Sequence, residues 1–189
     1  MITRRSLLQA GAATLLAGAA PAMAQRPREL LIRNARILTM DAALGDLTGS
    51  IHVRDGAIVA VGPQVSARGA QVLDAKGMIA MPGLVDTHCH MWGAILRSMA
   101  GDAAPNGYFA MAARHGAAMT PDDMYHAVRL CAAEALNAGT TTIHDWCHNV
   151  RSREHALADL RALAESGLRA RWSMGWKQGL SNDVAADLD

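Results

Sequence analysis

Aromatic side chains are scarce in this 189-residue chain: four Trp, two Tyr and one Phe, 4% of the total. Charge is scarce as well, at 19% of residues, and neither sign prevails, because 18 Lys and Arg face 17 Asp and Glu. With 51% hydrophobic residues, this balance excludes a disordered chain and a charged coiled coil. It offers no basic surface that would call for nucleic acid as a partner. Cysteine is limited to Cys89, Cys131 and Cys147, an odd number too small for a disulfide framework. The three read as reduced core residues, with oxidation of one pair after export left open. No apolar run reaches the ~20 residues a membrane-spanning helix needs, so no stable membrane anchor is expected. What remains is one globular domain of ordinary length.

The first 24 residues stand apart from that domain. Arg4 and Arg5 precede an apolar, Ala- and Gly-rich run from Leu7 to Ala20, and Ala22-Met23-Ala24 supplies a small-x-small cleavage site. Basic, apolar and small residues in that order predict a secretory signal peptide. Consecutive arginines point to the twin-arginine route, which carries folded cargo, and so to the periplasm.

From Glu29 to about Met78 the pattern predicts short strands: Leu30 to Met40, Ile51 to Val53, Ala57 to Val61 and Gln71 to Asp74. Asp55-Gly56 between two β-rich runs is a hairpin signal, because tight turns demand positive φ. A small antiparallel sheet is expected. Beyond Ile79 strands alternate with helices. Ile79 to Val85 leads into Asp86-Thr87-His88-Cys89-His90. Thr120-Pro121-Asp122-Asp123 is a helix start with its N-cap, first-turn Pro and acids in place. Met124, Ala127, Val128, Cys131, Ala132, Ala135 and Leu136 follow at helical spacing up to Gly139. Thr140 to Ile143 is β-branched and predicts a strand. A second helix runs from about Ser152 to Glu165 with Ala156, Leu157, Leu160, Leu163 and Ala164 on one face, and Leu168 to Trp176 reads as a third strand. Strand, helix, strand, helix, strand is a run of parallel βαβ units, so the fold class is α/β.

His88 and His90 carry the chemistry. Residues two apart on a strand share a face, so both imidazoles point one way while Cys89 points the other. Such a pair can chelate one divalent ion, and the carboxyl edge of a parallel sheet is where α/β sites sit.

Met81-Pro82-Gly83-Leu84-Val85-Asp86-Thr87-His88-Cys89-His90, preceded by the Asp55-Gly56 hairpin and followed by Asn137-Ala138-Gly139-Thr140-Thr141-Thr142, resembles the amidohydrolase superfamily. The likeness is nearest to its cytosine-deaminase-like and chlorohydrolase-like branch, whose members act on nitrogen heterocycles. The resemblance implies a (β/α)₈ TIM-type barrel with a small β-sandwich. Residues 1–24 are then the signal peptide, 25–78 the β-sandwich segment and 79–189 an incomplete barrel of about three βα units. It implies that His88 and His90 hold a divalent metal, zinc or iron, that makes water nucleophilic for attack on a small-molecule substrate. Deamination or dechlorination of a nitrogen heterocycle is the implied reaction, and the full-length parent could be a homo-oligomer. The family's later metal ligands and its proton shuttle lie on strands five, six and eight. They are expected beyond residue 189, so the chain by itself is expected to be inactive.

Four further residues are substrate-binding candidates. Trp92 reads equally as a ring-stacking residue or as packing, and Arg97 as a substrate contact or an ion-paired side chain. His144 and Asp145 end the second strand at the same carboxyl edge, where a carboxylate can orient an imidazole or both can serve the fold. Trp146, Cys147 and His148 begin the next loop, and Trp176 reads as pocket lining or core. His52, His115, His126 and His155 read as structural or exposed. Two rival readings stand beside the hydrolase: a non-catalytic remnant, and an exported amidase or dipeptidase using the same metal pair.

Overall fold

The computed structural model describes residues 28–102 and 106–175. The leader through Ala24 and Trp176 lie outside the described residues. The chain divides into two compact units, the first ending at Pro82 and the second starting at Gly83.

In the first unit β1 (Glu29–Ile37), β2 (Leu47–Arg54) and β3 (Ala57–Gly62) pair antiparallel, and the sheet order is β3-β2-β1-β4. The β2–β3 turn holds Asp55 at φ 48° and Gly56 at φ 81°, the two positive values that match the twist of a two-residue hairpin. β4 (Gln71–Asp74) and β5 (Ile79–Ala80) both run parallel to β1. The expected antiparallel sheet is therefore mixed, because the chain after β3 crosses to the far side of β1 instead of turning straight back. The described residues of this unit form one sheet, around Ala35, Ile37, Ile51 and Ala75. The apolar run from Ile79 to Val85 splits between the units, since Ile79 and Ala80 still pair with β1 and Pro82 has no N–H to continue a ladder.

The second unit is a three-stranded parallel sheet in the order β6 (Leu84–Cys89), β7 (Thr140–Cys147), β8 (Arg169–Met174). Between β6 and β7 come a short 3₁₀ helix (Met91–Leu96), α1 (Tyr108–Ala118) and α2 (Pro121–Asn137); α3 (Arg153–Ser166) joins β7 to β8. The core lies between sheet and helices, with Met91, Trp92, Met124, Val128, Ile143, Cys147, Ala162 and Leu163 buried in it. On β7, Ile143, Asp145 and Cys147 are buried, while Thr142, His144 and Trp146 alternate to the other face.

Helix α2 forms where its capping residues predict. The Thr120 side chain accepts from the Asp123 N–H, and the Asp123 carboxylate accepts from the Thr120 N–H, a reciprocal box that satisfies two otherwise orphan donors. The 3₁₀ helix and α1 have no such signature: both lack a side-chain N-cap and an acidic first turn. Helix α3 is turned relative to the sequence reading. His155, Ala158, Asp159, Ala162 and Leu163 face inward, whereas Leu157 is 54% and Leu160 41% exposed. Two polar groups decide this face, because each finds a partner inside the unit: His155 Nε2 meets the Met119 carbonyl at 3.0 Å, and Asp159 accepts from the half-buried Trp172 indole at 3.0 Å. Replacing Thr120 with Ala is expected to lower unfolding stability by about 1 kcal/mol, measured as a shift of the urea midpoint, and Thr120→Ser should restore most of it.

Candidate metal centre

The end of β6 and the end of β7 build the site together. His88 Nε2 and His90 Nε2 converge to 3.2 Å. Two nitrogens each ~2.0–2.1 Å from a common ion in a tetrahedral arrangement lie at about that separation, so the pair fits one divalent cation. The backbone ahead of the pair is pinned locally, since Asp86 Oδ1 accepts the His88 N–H at 3.0 Å.

The protonation of His90 follows from its neighbours. Its Nδ1 lies 2.7 Å from the carbonyl oxygen of Trp146, which can only accept, so Nδ1 carries the proton and Nε2 presents a bare lone pair toward His88. Fixing a ligand imidazole through its far nitrogen is the usual outer support of a metal centre. His148 adds to it: its Nδ1 lies 3.0 Å from His90 Nδ1 and receives the Trp92 indole N–H at 3.4 Å. Burial first, then the proximity of the His90 ring, holds the His148 pKa below its ordinary value. The Trp146 ring lies 5.2 Å from that of His88 at a tilt of 52° and flanks the pair on the open face of the sheet.

Each candidate from the sequence has a definite place. Trp92 is 2% exposed and packs edge-on to His148 at 5.1 Å, while its edge borders a cavity of about 250 Å³ that Leu96, Arg97, Tyr108 and Met111 also line. Arg97 is ion-paired with Glu134 of α2. His144 Nε2 lies 2.8 Å from Ser173 Oγ of β8. Asp145 is fully buried among the helices, on the face of β7 opposite His144, and does not orient an imidazole; the Trp146 carbonyl next to it does. Neither His148 nor that carbonyl is a candidate that residue order alone singles out. His148 follows β7 by one residue, a signal that becomes legible only once β7 is laid beside β6. Among the described residues no group of three or more His, Cys, Asp or Glu is placed to hold an ion.

Asp145 acts behind the site. Its Oδ1 accepts the Met91 N–H at 3.1 Å, fixing the backbone just after His90. Asp145 Oδ2 and Asp159 Oδ1 are buried without hydrogen-bond partners. Burial, and next the charge of Asp159, push the Asp145 carboxyl up to about 8, and burial also raises Asp159. Folding therefore favours the protonated acid. The associated stability is complete below the ordinary pKa of 3.8 and is lost as pH rises through about 8. The urea midpoint is expected to fall between pH 5 and pH 9 (roughly the window of that titration), and Asp145→Asn, which keeps an acceptor for Met91 but no titrating proton, should flatten the profile.

Residues 79–175 match the model of the Amidohydrolase family. The chain is 32% identical over 152 residues to a 5'-deoxyadenosine deaminase of Methanosarcina mazei, covering 78% of this chain and 33% of that protein. It is 34% identical over 147 residues to a 5-methylthioadenosine/S-adenosylhomocysteine deaminase of Acetivibrio thermocellus, covering 75% and 33%. Among solved structures, a mutant atrazine chlorohydrolase of Arthrobacter aurescens TC1 complexed with zinc and atraton superposes with a TM-score of 0.68 at 26% identity, over 76% of this chain and 35% of that one. The chain thus spans about a third of the length of the relatives it matches. With that family model covering the βα array that follows β5 and with deaminases aligned at 32–34% identity, the chain belongs to the amidohydrolase family.

Proposed function

We propose that this protein is an exported, metal-dependent hydrolase that removes an amine or a similar leaving group from a small nitrogen heterocycle. The carrying observation is the 3.2 Å approach of the His88 and His90 Nε2 atoms, with the His90 proton parked on Nδ1 against the Trp146 carbonyl. The relatives that align at 32–34% identity are deaminases of adenine-containing compounds, which supports a purine-like ring over other nitrogen compounds. Zinc is the metal proposed, by analogy with the zinc complex of the chlorohydrolase relative.

A divalent ion held by these two imidazoles supplies Lewis acidity and makes water nucleophilic near neutral pH. The chain's own residues prepare for it. His88 and His90 present their Nε2 atoms, and Trp146 O accepts the His90 Nδ1 proton, which keeps the ring from rotating. Trp146, 42% exposed beside His88, offers an apolar wall on which a planar ring can lie. Catalytic zinc sites use three protein ligands, and these imidazoles would supply two of them.

The test is a paired assay on the zinc-loaded product of the complete reading frame, with an adenine nucleoside and a chlorinated triazine as ring substrates and a dipeptide as the amide substrate. Ammonia or chloride release from a ring, lost in His88→Ala and His90→Ala together with most of the bound zinc, is expected. Cleavage of the dipeptide alone would move the protein to an amidase, and full zinc occupancy with no turnover of any substrate would make it a non-catalytic remnant. Export is tested separately. Changing Arg4 and Arg5 to Lys should leave the precursor in the cytoplasmic fraction of a Gram-negative host, and unchanged periplasmic recovery would overturn the twin-arginine route.

A further inference from the structure

We propose that Cys89 and Cys131 form a reversible thiol–disulfide couple that cross-links the metal-binding strand to helix α2. The two residues are 42 positions apart, yet their Sγ atoms lie 3.9 Å from each other. Ordinary chain geometry explains the meeting. Cys89 alternates away from His88 and His90, toward the helices, and Cys131 lies one helical turn beyond Val128 on the face of α2 that buries Met124, Ala127, Val128 and Ala132. A disulfide has an S–S distance of ~2.05 Å, so the sulfurs must close by about 1.9 Å along a line with no atom between them. Both residues are half-buried and unbridged, which leaves an edge of the pair open to a small reagent. Cys147 differs on each point: it is fully buried and lies on β7 beside the Asp145–Asp159 pair.

The oxidant is a small-molecule disulfide of the glutathione class, and the reaction is two successive exchanges. The Cys131 sulfur attacks one sulfur of the oxidant, whose S–S bond breaks, and the first thiol departs with the proton Cys131 gives up. The Cys89 sulfur then attacks the Cys131 sulfur, the mixed disulfide breaks, and the second thiol leaves with the Cys89 proton. Two protein thiols lose two electrons and two protons, and one oxidant disulfide takes up both. Because Cys89 sits between His88 and His90, the bridge staples the strand that carries both imidazoles to the helix behind it. A reducing environment releases the staple, and an oxidising one closes it.

The experiment incubates the intact metal-free chain with oxidised glutathione, blocks free thiols with iodoacetamide and digests without reductant using trypsin plus a glutamate-specific protease, which separates Cys131 from Cys147. The expected product is the segment Gly77–Arg97 joined to Leu130–Glu134, two hydrogens lighter than the sum of the reduced peptides, with Cys147 alkylated after denaturation. Dithiothreitol should restore both thiols. In Cys131→Ser the cross-link should vanish and Cys89 should be alkylated or remain glutathionylated. Recovery of both thiols free in the wild type, arrest at a mixed disulfide, or a link to Cys147 would each overturn the proposal. The wild-type peptide map decides the matter even if a variant fails to fold.

Discussion

The hydrogen bond from His90 Nδ1 to the carbonyl oxygen of Trp146 is the contact on which the candidate centre depends. It joins the ends of two parallel strands, and it settles which nitrogen of His90 faces His88. A backbone carbonyl suits this role because it cannot change protonation state and cannot rotate without breaking the β7 ladder. The register in which Cys89 pairs with Asp145 and Trp146 pairs with Ser173 sets that carbonyl at the height of His90. A slip of one residue would turn Trp146 inward and bring Asp145 to the open face.

Behind the sheet, a second set of contacts holds the same strand ends from the helix side. Trp172 of β8 donates to Asp159 of α3, and Asp145 of β7 receives the N–H of Met91. These buried carboxyls would be costly as two anions in an apolar surround. Burial holds the pKa of both above the ordinary carboxylate value, which favours the protonated acid. The backbone after His90 is therefore tied to β7, while the Trp172 indole ties β8 to α3. The open face thus carries the imidazoles, and the covered face carries the groups that stop the strand ends from shifting.

Much of this was legible from residue order. The strand that leads into His88-Cys89-His90, the capped helix that starts at Thr120 and the turn at Asp55-Gly56 follow from local rules of alternation, capping and positive φ. Where the reading missed, long-range packing had overruled local pattern. Leu157 and Leu160 looked like the inner stripe of α3, yet His155 and Asp159 took that place because their hydrogen-bond partners are brought to them only in the folded unit. Helix α1 lacked capping signals and was set by its packing against the core through Met111 and Ala112.

Residue order placed His88 and His90 together where the first parallel strand ends, because alternation along an extended backbone turns His88 away from Cys89, although His90 itself lies one residue past β6. Which atom orients His90, that His148 joins the site, that Asp145 serves the covered face, and which two of three cysteines meet were settled by long-range packing. Those outcomes depend on residues about 40 to 60 positions apart. Their juxtaposition is fixed by strand register and helix packing, and no local stretch of sequence encodes it.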